Sequence, residues 1–388
     1  QLKVLRGHEA PVWSVQASPD GKTLLTASGD KTARLWDAES GRELRVLRGH
    51  GSGVWSAHFA ADGTRVLTAG GDQTARLWKT SDERESRVFR GHWGPVSTTE
   101  FSPDGKTLLT ASDDNSARLW PLANAAESRV LAGHEAPIVD AHFAADGSRI
   151  ITASLDETAR VWDATSHQEL LVLRGHQGAV LSAQFAANGE LLTTGKDQSV
   201  RFWNPADGRE LRVIRGHEAP VVSAQLATDG KTLLTASSDR TARLWDANSG
   251  RELLVLRGHE APLIAAHFSP DGRTILTASW DTTARLWDRA SGRELHVLRG
   301  HEEAIRSVRF APDGKTVLTA SMDGTARIWD LTSGRELHVL RGHEDSVESA
   351  RFSSDGRIVL TAGGDRTARL WDASSGGELA VLRGHDGE

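Results

Sequence analysis

Residues 26–50 read TASGDKTARLWDAESGRELRVLRGH, and nearly the same string returns at 235–259 as TASSDRTARLWDANSGRELLVLRGH and at 277–301 as TASWDTTARLWDRASGRELHVLRGH. Gly-His pairs mark the period. Ten of them run from Gly7-His8 and Gly49-His50 to Gly342-His343 and Gly384-His385, each 42 residues after the last except for one step of 41 ending at Gly216-His217. The chain is one motif written nine times, so whatever distinguishes its function must lie where the copies differ.

A period of about 40–45 residues, with Gly-His at one end and Trp-Asp near the other, is the signature of a β-propeller blade, a four-stranded sheet that buries its faces only by stacking on neighbours. In the first repeat Pro11–Gln16 reads as inner strand a, Asp20-Gly21 as a two-residue type I′ turn and Leu24–Ala27 as strand b. Gly29-Asp30 then turns the chain into strand c at Thr32–Trp36, and Ser40-Gly41 turns it into outer strand d at Glu43–Leu47. Turn signals this frequent leave no room for a helical stripe. The expected fold is all-β, one nine-bladed ring over residues 1–388. A ring of seven or eight blades is the alternative, but it strands the apolar face of a surplus repeat in water at about 25 cal/mol per Å². A tenth d-type strand, Leu2–Leu5, precedes the first repeat and is expected to act as an N-terminal clasp strand at 1–6. Its competitor for the last blade is Glu378–Leu382, which needs only a short hairpin through Gly376-Gly377. A chain that begins at Gln1, inside a repeat, suggests a piece of something longer.

Composition sets limits. Hydrophobic residues make up 38% of the chain, with no apolar run near the roughly 18 residues of a membrane span and no signal peptide. The absence of cysteine excludes disulfides, thiol nucleophiles and zinc fingers. A net charge of -6 with both signs interspersed gives no basic stripe, so neither nucleic acid nor membrane is expected as a partner. Arginine outnumbers lysine 38 to 8, which suggests a GC-rich bacterial source; a cytoplasmic location and a monomeric propeller are separately expected.

With these motifs the chain resembles the WD-repeat family of β-propellers over essentially its whole length, and in particular the near-identical arrays that form sensor regions of large bacterial signalling NTPases. No P-loop GxxxxGK[ST] is present here. The resemblance implies a buried hydrogen-bonded tetrad in every blade, falling on His8, Thr26, Asp30 and Trp36 in the first, on His217, Thr235, Asp239 and Trp245 in the sixth, and on equivalent residues in the other seven. Thr, His and Asp together also suggest a catalytic triad, but catalysis needs one exposed nucleophile beside an oxyanion hole. Nine copies are a structural device. The Arg two residues before each tetrad Trp repeats as faithfully and reads as packing along strand c.

Three positions per repeat vary more than the rest, and the resemblance places all three around the central opening, on the face formed by the d–a and b–c loops. The strand-a position holds Trp13, Trp55, Ser97, Val139, Leu181, Val222, Ile264, Arg306 and Glu348, and the residue before the tetrad Asp includes Gly29, Gly71, Leu155, Lys196, Trp280 and Met322. The third is mostly Pro, with Gly53 among the departures. Columns that also accept Arg, Glu and Lys are not closed core. Trp13, Trp55, Trp280, Met322, Arg306 and Glu348 fall in blades seven to two, one continuous arc, and are the expected partner-binding residues, since Trp and Arg dominate binding hot spots. His58, His142 and His267 occupy one strand-a column but lie too far apart round a channel to share a metal at about 2 Å. No metal or cofactor is expected. His167, His296 and His338 read as solvated residues on or near the outer strand. The expected function is non-enzymatic recognition of a protein or peptide, with a ligand-free assembly element or a propeller enzyme as alternatives.

Overall fold

The computed structural model describes residues 3–384 apart from 39, 41, 82–84, 123–127, 187, 354, 355, 366 and 367. They form nine sheets, in each of which strands a-b-c-d are antiparallel and ordered outward from the axis. In blade one the strands are Val12–Ala17, Thr23–Ser28, Thr32–Asp37 and Glu43–Arg48. Strand c departs from simple alternation, because Thr32 through Trp36 are all buried. A blade inside a ring is covered on both faces, so the polar Thr32 and Arg34 are enclosed with the apolar residues and must be paired within the fold. The ring closes where Val12, Val15, Leu24 and Trp36 of blade one pack on Leu360, Ala362 and Leu370 of blade nine.

The ninth blade has five strands. Glu378–Gly384 pairs antiparallel with Ala368–Asp372 and takes the d position, so the N-terminal strand does not fill it as the expected clasp would. Lys3–Gly7 lies outside, parallel to Glu378–Gly384, with Val4 to Gly7 in register beside Val381 to Gly384. The two segments share the sequence Val-Leu-Arg-Gly, but three residues before it the C-terminal segment has Glu378, which pairs with Arg369 of strand c at 2.6 Å, where the N-terminal segment has Gln1 in sequence. The short hairpin also costs less chain entropy to close.

Turns differ from the two-residue type I′ expectation. At the a–b corner the Gly21 N–H bonds to Ser18 O, and of the turn residues only Gly21 has positive φ, at 71°. Pro19, with its fixed φ, sits at the second position of a type I-like turn that a left-handed glycine then closes. At the b–c corner the residue after the tetrad Asp is left-handed in the described blades. Thr282 is the costly case at φ 70°, whereas Asn115 and Gly324 occupy the same place in blades three and eight. A β-branched residue there is strained by about 1–2 kcal/mol. Thr282→Asn is expected to raise stability by about 1 kcal/mol, read as a higher midpoint in denaturant; a lower midpoint would refute the strain.

Candidate functional site

Blade six shows how the Gly-His end and the Trp end of a repeat are joined. The Trp245 indole donates to Thr235 Oγ1 at 2.8 Å, the Thr235 hydroxyl to His217 Nε2 at 2.7 Å, and His217 Nδ1 to Asp239 at 2.7 Å. The same chain of contacts recurs in all nine blades. Because the hydroxyl accepts from the indole, its own proton goes to Nε2, and a neutral imidazole gives every buried donor an acceptor. Burial pushes His8, His92, His134, His176 and His301 below the usual range despite the neighbouring carboxylates. Burial alone would raise the Asp239 carboxyl, but hydrogen bonds from His217, Thr241 and the Glu218 N–H hold it well below the ordinary carboxylate range. The chain belongs to the WD40 family.

The pattern of that family, WD domain, G-beta repeat, matches nine stretches: 1–37, 41–79, 83–121, 126–163, 167–204, 208–246, 250–288, 292–330 and 334–372. Over 44 residues, about one blade, the chain is 46% identical to eukaryotic translation initiation factor 3 subunit I of Rattus norvegicus and Homo sapiens and 43% identical to that of Danio rerio. These matches span 11% of this chain and 14% of those proteins. Among solved structures, the computationally designed Ika8 protein superimposes with a TM-score of 0.67 at 25% identity, covering 85% of this chain and 99% of that one.

The tetrad of this WD40 propeller is larger than the four positions named from sequence. A Thr or Ser two residues after the Asp, Thr241 in blade six, donates its hydroxyl to Asp239 at 2.7 Å, and the Glu218 N–H adds a third donor at 3.0 Å. The signal was present in the unvarying Asp-x-Thr/Ser of every repeat. The repeated Arg does more than pack: Arg243 pairs with Glu252 of strand d at 2.7 Å. A Cβ on Gly216 would lie 2.9 Å from the Trp245 ring, and Gly216 has φ 152°; this close approach is why Gly precedes His. All nine tetrad Thr side chains are fully buried, so none can reach a substrate as a nucleophile.

Geometry at the variable strand-a position is the same in every blade. The a–b register slips there, between Val12 and Ser14 in blade one, between Val54 and Ser56 in blade two and at the equivalent point in the other seven. Trp13, Trp55, Arg306, Glu348 and their counterparts are thus the extra residues of β-bulges, devices that re-aim a side chain out of the ladder. Trp13, Trp55, Trp280 and Met322 are 41%, 39%, 53% and 43% exposed, which argues against the ligand-free reading that needs buried, silent indoles. The Trp13 ring lies over Gly29 and reaches Gly53 of the next blade, where a Cβ would come within 2.6 Å of it, and Trp55 lies over Gly71. Each indole thus packs closely on glycine backbone and stays partly exposed. Arg306 and Glu348 are not free charges; they pair with each other across blades eight and nine at 2.9 Å.

Trp93 is the aromatic that the expected site leaves out. It is 84% exposed, in the d–a loop of blade three where six other blades carry Glu, so its oddity was legible. His296 and His338 are half-buried rather than solvated: each approaches a c–d turn glycine of the next blade, Gly334 or Gly376, and donates to Thr332 O at 2.8 Å or Ser374 O at 2.9 Å. His167 is half-buried too, at φ 64° in a c–d turn. His142 bridges Asp140 and Glu100, whose hydrogen bonds push it up to about 10. No group of three or more His, Asp or Glu able to hold a metal ion occurs among the described residues.

Proposed function

We propose that this propeller works by binding rather than catalysis and captures a protein or peptide on the face formed by the d–a and b–c loops. The observation that carries the reading is the braced, half-exposed pair Trp13 and Trp55 on adjacent bulges. Rigid aromatics fixed before contact lose little entropy on binding. Trp280 and Met322 continue the arc through blades seven and eight, and the Arg306–Glu348 pair gives it a polar edge. Such a surface suits a segment with an apolar centre and a polar border. The bulges supply a fixed frame on which side chains change while the tetrads stay constant.

Peptides selected from a random display library on the wild-type protein test this. Trp13→Ala, Trp55→Ala and Trp280→Ala are each expected to weaken the selected peptides by about 2 kcal/mol, whereas Lys22→Ala and Lys106→Ala in the a–b turns leave them unchanged. Circular dichroism and melting establish that the variants are folded. Undiminished binding by a folded triple Trp variant would place the site elsewhere.

A further inference from the structure

We propose that the cavity where blade nine meets blade one, at the a–b turn end of the channel, binds a small carboxylate carrying a phenyl-sized apolar group. The strand-a column that holds Phe59, Phe101, Phe143, Phe185, Phe268, Phe310 and Phe352, with Leu226 in blade six, holds Ala17 in blade one. Elsewhere this phenyl plugs the junction with the preceding blade, as Phe59 does against Leu25 and Leu35. At Ala17 the preceding blade still presents Leu360 and Leu370, but no ring fills the space. That space opens into a cavity of about 830 Å³ that runs from blade nine past blades one, two and three to His142 of blade four; Ala17, Leu24, Leu360 and Leu370 line its apolar end, beside His58 and Arg351, and its volume is within the range of small-ligand sites.

Charge specifies the other half of the ligand. In the column one residue earlier, Gln16, Glu100 and Gln225 accept from the backbone N–H of Phe59, Phe143 and Phe268 in the next blade, at 2.7, 3.2 and 3.1 Å. Arg351 has the same place in blade nine but only donors to offer. It stays exposed, with no acidic partner among the described residues. Its neighbour Arg309 donates to His267 Nε2 at 2.8 Å, a histidine pushed down to about 4 by burial and Arg309 and so neutral. Burial and Arg351 lower the Arg309 guanidinium as well, and burial and Arg351 lower His58, leaving it a neutral donor. The carboxylate on the wall, Glu100, already faces the His142 cation, which Asp140 also binds. A second anomaly sits on the same cavity: Thr99, where other blades have Ala or Val, has a buried hydroxyl without a partner.

The test is calorimetric titration of the full chain with 3-phenylpropanoate and with its neutral amide, 3-phenylpropanamide. The carboxylate is expected to bind, and the amide to bind about tenfold or more weakly, since it lacks the charge-assisted contact. Ala17→Phe, which restores the ring of the other blades, is expected to abolish binding while raising the melting temperature. Arg351→Gln, with the residue that blades one, five and six use, is expected to lose the preference for carboxylate over amide without a change in melting. No heat with the wild-type protein, equal binding of acid and amide, or binding retained by Ala17→Phe would each overturn the proposal.

Discussion

Asp239→Ala will lower the stability of the protein by about 3 kcal/mol, the upper end for a buried polar group stripped of its partner. Asp239 is the hub of its blade, accepting from His217 Nδ1 at 2.7 Å, the Glu218 N–H at 3.0 Å, the Thr241 N–H at 2.9 Å and the Thr241 hydroxyl at 2.7 Å. Arg243 adds a cation at 3.5 Å. Alanine leaves four donors and a charge facing a methyl group, in a site too enclosed for water to replace every bond. Denaturant unfolding at neutral pH measures the loss. Peptide binding at Trp13 and Trp55, in blades one and two, is expected to survive wherever the variant is folded. Unchanged stability would show that the hub does not hold the blade, and a catalytic activity lost with it would make the set an active site.

How much of this was open to reading from sequence depends on what the repeats held constant. The blades were legible because each corner carries a Gly, Asp or Pro with a local reason to turn, and the period fixed their stacking. Blade nine was less so, since Val4 to Gly7 and Val381 to Gly384 are the same four residues, and only loop closure and the Arg369–Glu378 pair separate the two segments. The variable columns pointed to Trp13, Trp55, Trp280 and Met322, but nothing in Val12-Trp13-Ser14-Val15 signals a bulge, because the apolar pattern continues through the slip. The Arg306–Glu348 pair hid in the period itself: residues 42 apart occupy the same place on adjacent blades and can meet. Gly29 and Gly71 looked like turn residues, and only the indoles above them give the stronger reason.

Acidification from pH 7 to pH 5 will destabilise the protein before most carboxylates titrate. The cause is the set of buried histidines that burial holds below their ordinary value of 6.5: His8, His92, His134, His176 and His301 in the tetrads, with His58 and His267 on the channel side adding in the same direction. Above 6.5 they are neutral in both states and cost nothing. As pH falls through 6.5 the unfolded chain takes up protons that the folded blades refuse, and each such proton removes about 1.4 kcal/mol per pH unit. The charges around them do not reverse this: Asp30 and Glu43 favour a proton on His8 and Arg34 opposes it, yet burial is the largest influence. His142 has the opposite sign, raised to about 10, so its contribution is complete below 6.5 and fades only as pH climbs toward 10. Below about 3.8 the tetrad carboxylates add their own loss, Asp156 among them with a folded value of about 2. Guanidinium unfolding midpoints at pH 7, 6 and 5 check the histidine limb. A flat profile across that range would mean that the tetrad imidazoles accept protons inside the blades, and the neutral donor chain from Trp through Thr and His to Asp would be wrong.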